Sequence, residues 1–450
     1  MRIAGIFGIL LFSLTPGCSK QPAHEPITLT YLDIEWDTPD LMPGLAKDLQ
    51  DFTRETGIQV KRLPRPDGSF NQLALWRELL QKNTGTPDVV SIDVIWSAML
   101  NQYLLDLKPY LANEVASQNP VVIASYTVGE KLVAVPHHAY IGVLLYRPEL
   151  LQKYGYHEPP KTWDELESMA TRIQAGERAK GVKDFWGYAW QGGIDEDLTC
   201  SALEWQISDG GGRIIEDDRT ISVNNRQTIR SWQRAARWVG SISPPGTAAY
   251  AKWDAQNFWG SGKAAFLRGW QSDYSLLTHG WPFAESRAHT PAGSPTQFGV
   301  TSMPGGKAGR AGTLGGNGLA VSQSSAHPRE ALELIRFLQR RDAQLMRASD
   351  HSEPPQEAEL YELPTMFELY PQLAELRKRG SRVVARPSVV AGQKYEEVST
   401  AYIRAVHSVL ASEKIPSVAA ADLEKELVEI TGFRPGPPSK LYGSSREKGL

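Results

Sequence analysis

Only two cysteines occur in this 450-residue chain, Cys18 and Cys200, so no disulfide framework is available and stability has to come from packed cores. Long apolar runs are equally scarce. The stretch from Ile3 to Leu14 is about a dozen residues, short of the roughly 20 that cross a bilayer, and no second run follows it. Neither sign of charge dominates: 48 Lys and Arg oppose 51 Asp and Glu for a net −3, scattered along the chain, which argues against a nucleic-acid or anionic-membrane surface. Motifs of covalent and nucleotide chemistry are missing as well, with no G-x-S-x-G, H-E-x-x-H, Walker loop or Cys–His signature. The adjacent pair His137 and His138 is poor metal spacing, because neighbours on a strand point to opposite faces. No metal and no cofactor is therefore expected.

What is present begins with LLFSLTPGCSK. Arg2 followed by a short apolar core reads as a signal peptide. Gly17 before Cys18 fits the small residue that a bacterial lipoprotein signal peptidase needs, which would make Cys18 a lipidated N-terminus. Thr15 and Pro16 depart from the usual sequence there, and ordinary secretion or an uncleaved anchor is the alternative. The expected layout is a signal peptide over 1–17 and a polar tether over 18–26. The folded part would then lie outside the cytoplasmic membrane, held to it by lipid, in the periplasm or at the cell surface.

About 430 residues remain, enough for two domains. ITLTYLDIEW alternates like a strand, MPGLAKDLQDFTRETG places Leu45, Leu49 and Phe52 at helical spacing, and IQVKRLP, FNQLALWRELLQKN and PDVVSIDVIW continue strand, helix, strand. That order predicts an α/β fold with a parallel sheet and crossover helices, whose ligands meet the carboxyl ends of strands. KLVAVPHH and GVLLYR read as two further strands. In TWDELESMATRIQAG, Thr162 and Glu165 form a capping box. GYAWQG is a strand, LTCSALEWQISDGGG and QTIRSWQRAARWVGSI are helices, and strand character resumes at Phe298 before a helical C-terminal third. The excess of aromatics, 13 Trp and 16 Tyr, is informative because flat rings can present a face to sugar C–H groups.

Six blocks in order, VVSIDVIW, VAVPHHAYIGVLLYRPELLQKYGYHEPPKTWDELE, LTCSALEWQISDGGG, FWGSGKAAFLRGW, GTLGGNGLAVSQSSAHPREALELIRFL and ARPSVVAGQKYEEVS, resemble the extracellular solute-binding proteins of ABC transporters. They are most similar to the sugar-binding branch that includes maltose and trehalose/maltose receptors. The resemblance implies a two-lobe periplasmic-binding-protein fold of type II, with a sheet and flanking helices in each lobe and the ligand held in the cleft between them, closing by hinge bending. It implies lobe one over 27–141 and 298–325, lobe two over 142–297 and 326–435, and a flexible tail over 436–450. A carbohydrate ligand, the permease transmembrane subunits as partners, a monomeric state and no catalysis are implied with it.

Sugar hydroxyl pairs are gripped by carboxylates and guanidinium groups, and sugar C–H faces pack on aromatic rings. By family position, Asp93 is the expected binding acid, with a helix N-cap as its structural alternative. Glu35 and Trp36 end the first strand where cleft groups are expected. Trp270 is the expected stacking ring and Arg386 a ligand-contacting cation. Tyr274, one helical turn past Trp270, and Trp190, at a strand end, are further candidates, as is His138 as a neutral donor or acceptor. Two departures from the resemblance matter. Relatives often carry an aromatic pair, a small residue and an Asp after the proline at 136, where this chain has His137, His138, Ala139 and Tyr140. They often carry Trp where this chain has Asn317. Losing an acid and a ring implies that maltose and trehalose are not the best ligands. Two other functions stay open: a sensory or adhesive lipoprotein on the same fold, and a glycoside-cleaving enzyme using Glu35 and Asp93 as its carboxylate pair.

Overall fold

The computed structural model describes residues 26–34, 43–66, 69–274, 297–351, 355–370, 376 and 380–439. Cys18, Glu35 and Trp36 lie outside them. The first strands follow the sequence pattern: β1 (Thr28–Leu32), β2 (Gln59–Leu63) and β3 (Val89–Asp93) pair in parallel in the order β2-β1-β3, with helices α1 (Pro43–Thr56) and α2 (Ser69–Gln81) between them. Such crossovers cover a parallel sheet, and Val89, Val90, Ser91 and Ile92 of β3 are accordingly buried.

The next strand differs from expectation. VPHH of KLVAVPHH and GVLLY of GVLLYR are not separate strands but parts of one, β4 (Val135–Tyr146), 12 residues long, while Lys131–Leu132 makes a separate short ladder with Thr127–Val128. β4 continues through its proline and histidines because the ladder is locally irregular. Asn317 pairs with His138 and Gly318 with Pro136, so His137 is an extra, unpaired residue. The bulge also overturns the expectation that His137 and His138 point apart, since their rings meet at 4.2 Å.

After β4 come α3 (Trp163–Ala179), β5 (Trp186–Ala189), α4 (Glu196–Ser208), α5 (Arg226–Trp238), β6 (Ala264–Trp270), β7 (Gly299–Ser302) and β8 (Ala311–Val321). Then follow α6 (Pro328–Leu338), α7 (Arg341–His351), β9 (Arg382–Val384), α8 (Tyr395–Leu410) and α9 (Pro416–Thr431). The Thr162 side chain caps α3 by accepting from the Glu165 amide at 3.1 Å, while Glu165 accepts from the amide of Lys161 at 2.5 Å, one residue earlier than a capping box requires.

Among the described residues nine strands make one mixed sheet, in the order β2-β1-β3-β8-β4-β6-β5, with β7 also on β4 and β9 on β8. The long strands β4 and β8 are antiparallel and belong to both halves. β3 pairs with Asn317–Val321 of β8, while β6, β7 and β9 pair with Gly142–Tyr146 of β4 and Ala311–Thr313 of β8. This is a mixed α/β two-lobe arrangement joined by shared strands.

Two lobe boundaries move from where the sequence put them. β7 and the loop after it join the second half, because Gly299–Ser302 pairs with Val143–Tyr146 and the Ala308 amide donates to the Ser208 carbonyl at 2.8 Å. Helices α6 and α7 join the first half. Phe337 meets Phe52 edge to face at 5.4 Å, and Arg347 pairs with Asp48 at 2.7 Å with both side chains buried, so both helices sit on α1. Helices α8 and α9 pack with α4 and α5 in the second half. Arg434–Pro435 lies along Thr220–Ile221, and 440–450 are outside the described residues.

Candidate functional site

Three polar side chains stand abreast where β3, β8 and β4 meet. Asp93 is paired with Asn317, and Asn317 with His138. Residues directly opposed on antiparallel strands project to the same face, so register alone assembles the row. Alternation puts Tyr140 on that face too, opposite Gly315, where a Cβ would come within 2.6 Å of the Tyr140 ring and 3.0 Å of the Trp270 ring. Trp270 arrives level with Gly142, its ladder partner, and meets Tyr140 edge to face at 5.4 Å. Gly316 holds φ at 132°, and a Cβ there would lie 2.0 Å from the His138 carbonyl oxygen, so this turn of the crossing strand requires glycine.

Arg386, two residues past β9, reaches the same seam. Its Nη1 donates to Glu196 Oε1 at 2.9 Å and its Nη2 to the Leu314 carbonyl at 3.3 Å, and Nη2 stands 3.6 Å from Asp93 Oδ1. Glu196 opens α4 in the second half, and Asp93 ends β3 in the first. One guanidinium thus joins acids from the two halves. Glu196 also accepts from the Tyr395 hydroxyl at 2.5 Å and the Ser399 hydroxyl at 2.5 Å, which saturates the buried carboxylate. Burial pushes the Asp93 carboxyl above the usual range, opposed by Arg386 and by the Ile95 amide, which donates to it at 3.1 Å. Asp93 does not cap the short helix Ser97–Leu100, whose N-cap is Trp96 without a side-chain hydrogen bond; its carboxylate closes the turn before that helix and faces the seam, with 26% of its side chain exposed. Burial disfavours the Arg386 charge, but the carboxylates of Glu196 and Asp93 outweigh it and hold the guanidinium pKa above its ordinary value. Val94, Ile95, Ser125, Leu314, Ala385, Arg386 and Ser388 line a narrow crevice here. Two buried donors beside it, Arg386 Nε and the Tyr126 hydroxyl, have no hydrogen-bond partner among the described residues.

Behind Trp270 lies a fully buried ion pair. Arg268 Nη2 and Nε donate to Glu204 Oε1 at 2.8 Å and Oε2 at 3.2 Å, and the guanidinium carbon is 4.1 Å from the centre of the Trp270 ring. At the other end of the residue, the Trp270 amide donates to Asp273 Oδ2 at 2.7 Å, which fixes the strand end.

The expected residues divide on inspection. Asp93, His138, Tyr140, Trp270, Asn317 and Arg386 converge on the crossing strands and their seam. Trp190 does not. It is fully buried among Tyr188, Trp205 and Trp238 and donates its indole N–H to Ser243 Oγ at 2.9 Å, so its ring is committed to the second half's core. Tyr274 is not a helical turn beyond Trp270, because Trp270 closes a strand and the chain turns after it; the Tyr274 ring packs on Phe298 at 5.3 Å. Trp270 itself is 6% exposed, more deeply set than a ring expected to line an open cleft. Glu196, Tyr126, Tyr395, Ser399, Glu204 and Arg268 were missed. The acidic run Asp195–Asp197 at a helix start was the one visible signal for Glu196. Among the described residues no group of three His, Cys, Asp or Glu side chains is arranged to hold a metal ion.

Comparison with known proteins bears on this geometry. The sequence model of the bacterial extracellular solute-binding protein family matches residues 35–345. A Deinococcus radiodurans protein named "Probable ABC transporter-binding protein" is 40% identical over 385 residues, 85% of this chain and 89% of that one. Among solved structures, maltose-bound MalE3 of T. maritima superposes with a TM-score of 0.77 at 29% identity, covering 90% of this chain and 100% of the other. A Thermotoga lettingae ABC transporter solute-binding protein bound to α-D-tagatose has the same fold, with a TM-score of 0.77 at 21% identity, covering 90% and 100%.

Proposed function

The chain belongs to the bacterial extracellular solute-binding proteins, and from that premise we propose that it captures a carbohydrate between its halves for an ABC importer. It delivers the sugar unchanged to the transmembrane subunits and is tethered outside the membrane through a lipid on Cys18. Among the described residues no helix is long and apolar enough to cross a membrane. The observation that carries the ligand reading is the seam itself. Asp93 and Glu196 flank Arg386, the buried donors Arg386 Nε and Tyr126 Oη have no acceptor among the described residues, and the Tyr140–Trp270 ring pair stands alongside. Buried donors and acids next to aromatic rings suit a neutral polyol, whose hydroxyls both donate and accept and whose C–H face packs on a ring. The sugars held by the two solved neighbours agree in class. Asn317 and Tyr140 stand at the seam where relatives were expected to carry Trp and Asp, which is why maltose and trehalose are not proposed as the best ligands.

A thermal-shift screen of the chain from Ser19 onward tests this, using maltose, trehalose, D-glucose, D-tagatose and D-mannitol beside amino acids and short peptides. A sugar present at 100 times its Kd stabilises the folded state by about 2.7 kcal/mol. Its addition should also reduce the radius of gyration in solution scattering, because contacts from both halves give it higher affinity for the closed form. A shift with amino acids or peptides and none with any sugar would overturn the carbohydrate reading.

A further inference from the structure

The Glu204–Arg268 pair has neither partner exposed to solvent. Withdrawing two charges from water is unfavourable, and apolar residues of similar volume usually stabilise a core at least as well. The pair needs another reason to exist, and its surroundings supply one. Glu204 Oε1 accepts from Arg268 and also from the Thr313 amide at 3.1 Å, so one carboxylate ties α4 to β6 and β8. Gly142 of β4 lies against both side chains. A Cβ there would stand 1.9 Å from Glu204 Oε1 and 2.7 Å from Arg268 Nη2, so position 142 is given over to the pair. Arg268 Nη1 is buried with no hydrogen-bond partner among the described residues, and the guanidinium is applied to the indole face at 4.1 Å. A planar cation gripped along its Nε–Nη2 edge by both oxygens of a carboxylate can hold a ring at a fixed angle, which neither lysine nor a branched aliphatic residue can do.

We infer that Arg268 and Glu204 are positioning residues that set the angle of the Trp270 ring. Arg268 acts through Trp270, and Glu204 acts through Arg268. The inference rests on the reading of Trp270 as a sugar contact only for its consequence in binding; the positioning itself is independent of any ligand.

Two measurements separate these levels. In protein labelled with 5-fluorotryptophan, the Trp270 fluorine line is the one that disappears in Trp270→Phe. In Arg268→Lys, which keeps the charge beside Glu204 but loses the plane and the fork, that line should shift and broaden while the lines of the distant Trp76 and Trp96 stay in place. An unmoved Trp270 line overturns the inference. Should Arg268→Lys fail to fold, the neutral planar pair Glu204→Gln/Arg268→Gln is read by the same spectrum. The second measurement is calorimetric titration with the same five sugars. Arg268→Lys should weaken binding roughly fivefold in the wild type and cause no further loss once Trp270 is Phe, the non-additivity expected of a residue acting through another. A loss that persists in full without Trp270 would mean that Arg268 acts by another route, and the inference fails. If Trp270→Phe changes no sugar's affinity, the ligand reading of Trp270 fails, and the fluorine spectrum still decides positioning.

Discussion

Replacing Arg386 with methionine tests whether the seam is held by charge. The substitution keeps most of the stem volume and removes the guanidinium, leaving Glu196 buried with the Tyr395 and Ser399 hydroxyls as donors and Asp93 able to turn toward solvent. Breaking one side of a buried pair usually costs about 3–5 kcal/mol. The two remaining hydroxyl bonds and the partial exposure of Asp93 place this case near the low end, about 3 kcal/mol. In a chain of this size such a loss lowers Tm by about 3–4 °C. The informative comparison is the double variant Glu196→Gln/Arg386→Met, in which the uncompensated charge is gone. It should recover at least roughly 1 kcal/mol relative to Arg386→Met alone. Calorimetry of the four proteins without ligand gives the cycle directly. If Arg386→Met lowers Tm by less than about 1 °C, or if the two substitutions simply add, Arg386 is not the charge that Glu196 requires and the account of the seam is wrong.

Other outcomes follow from neighbouring groups. Burial, with added repulsion from His138 and Arg347, holds the His137 imidazole well below its ordinary pKa, so the unfolded chain takes up a proton below about pH 6.5 that the native state refuses. Stability is therefore lost as pH falls, and between pH 7 and pH 5 the wild type should lose about 2 kcal/mol more than His137→Leu; equal losses in denaturant titrations would refute it. Cys200 is buried and its thiol is pushed up by that burial. In a Cys18→Ser background it should resist maleimide until denaturant is added, and rapid native labelling would contradict its placement. Cys18→Ser should move the protein from the membrane to the soluble fraction on cell fractionation; a variant that stays membrane-bound would indicate an uncleaved anchor instead of a lipid.

Much of the architecture was written in short-range pattern. Alternation marked β1, the VVSID run marked a buried strand ending in an acid, and Thr162 announced the start of α3, because each signal depends on residues a few positions apart. Strand β4 was harder, since Pro136 and two histidines look like an interruption until β8 is there to accommodate the bulge at His137. The allegiance of α6 and α7 was unreadable for the same reason. Phe337 and Arg347 name an apolar and a basic surface, but nothing local says that Phe52 and Asp48 complete them. In the site, Asp93 and Arg386 could be proposed singly by resemblance, whereas Glu196, which brings Arg386 its second acid, is 190 residues away from it in sequence. Trp190 and Trp270 both stand at strand ends. Only packing tells them apart: the first is enclosed by Trp205 and Trp238, the second leans on Arg268 and Tyr140.

The strands shared by the two halves have a mechanical meaning. β4 and β8 are not flexible tethers between rigid bodies but a continuous two-ply leaf spring, whose Gly142 and Gly315 let the Glu204–Arg268 pair and the Tyr140 and Trp270 rings press directly on its backbone. The proposed binding row has Asn317 and His138 on that spring and Asp93 beside it at the end of β3. A solute seated there loads the bending element at its root, with no intervening lever to transmit the load. The angle between the arms then becomes a direct gauge of occupancy, legible from outside to any transporter that grips both arms at once.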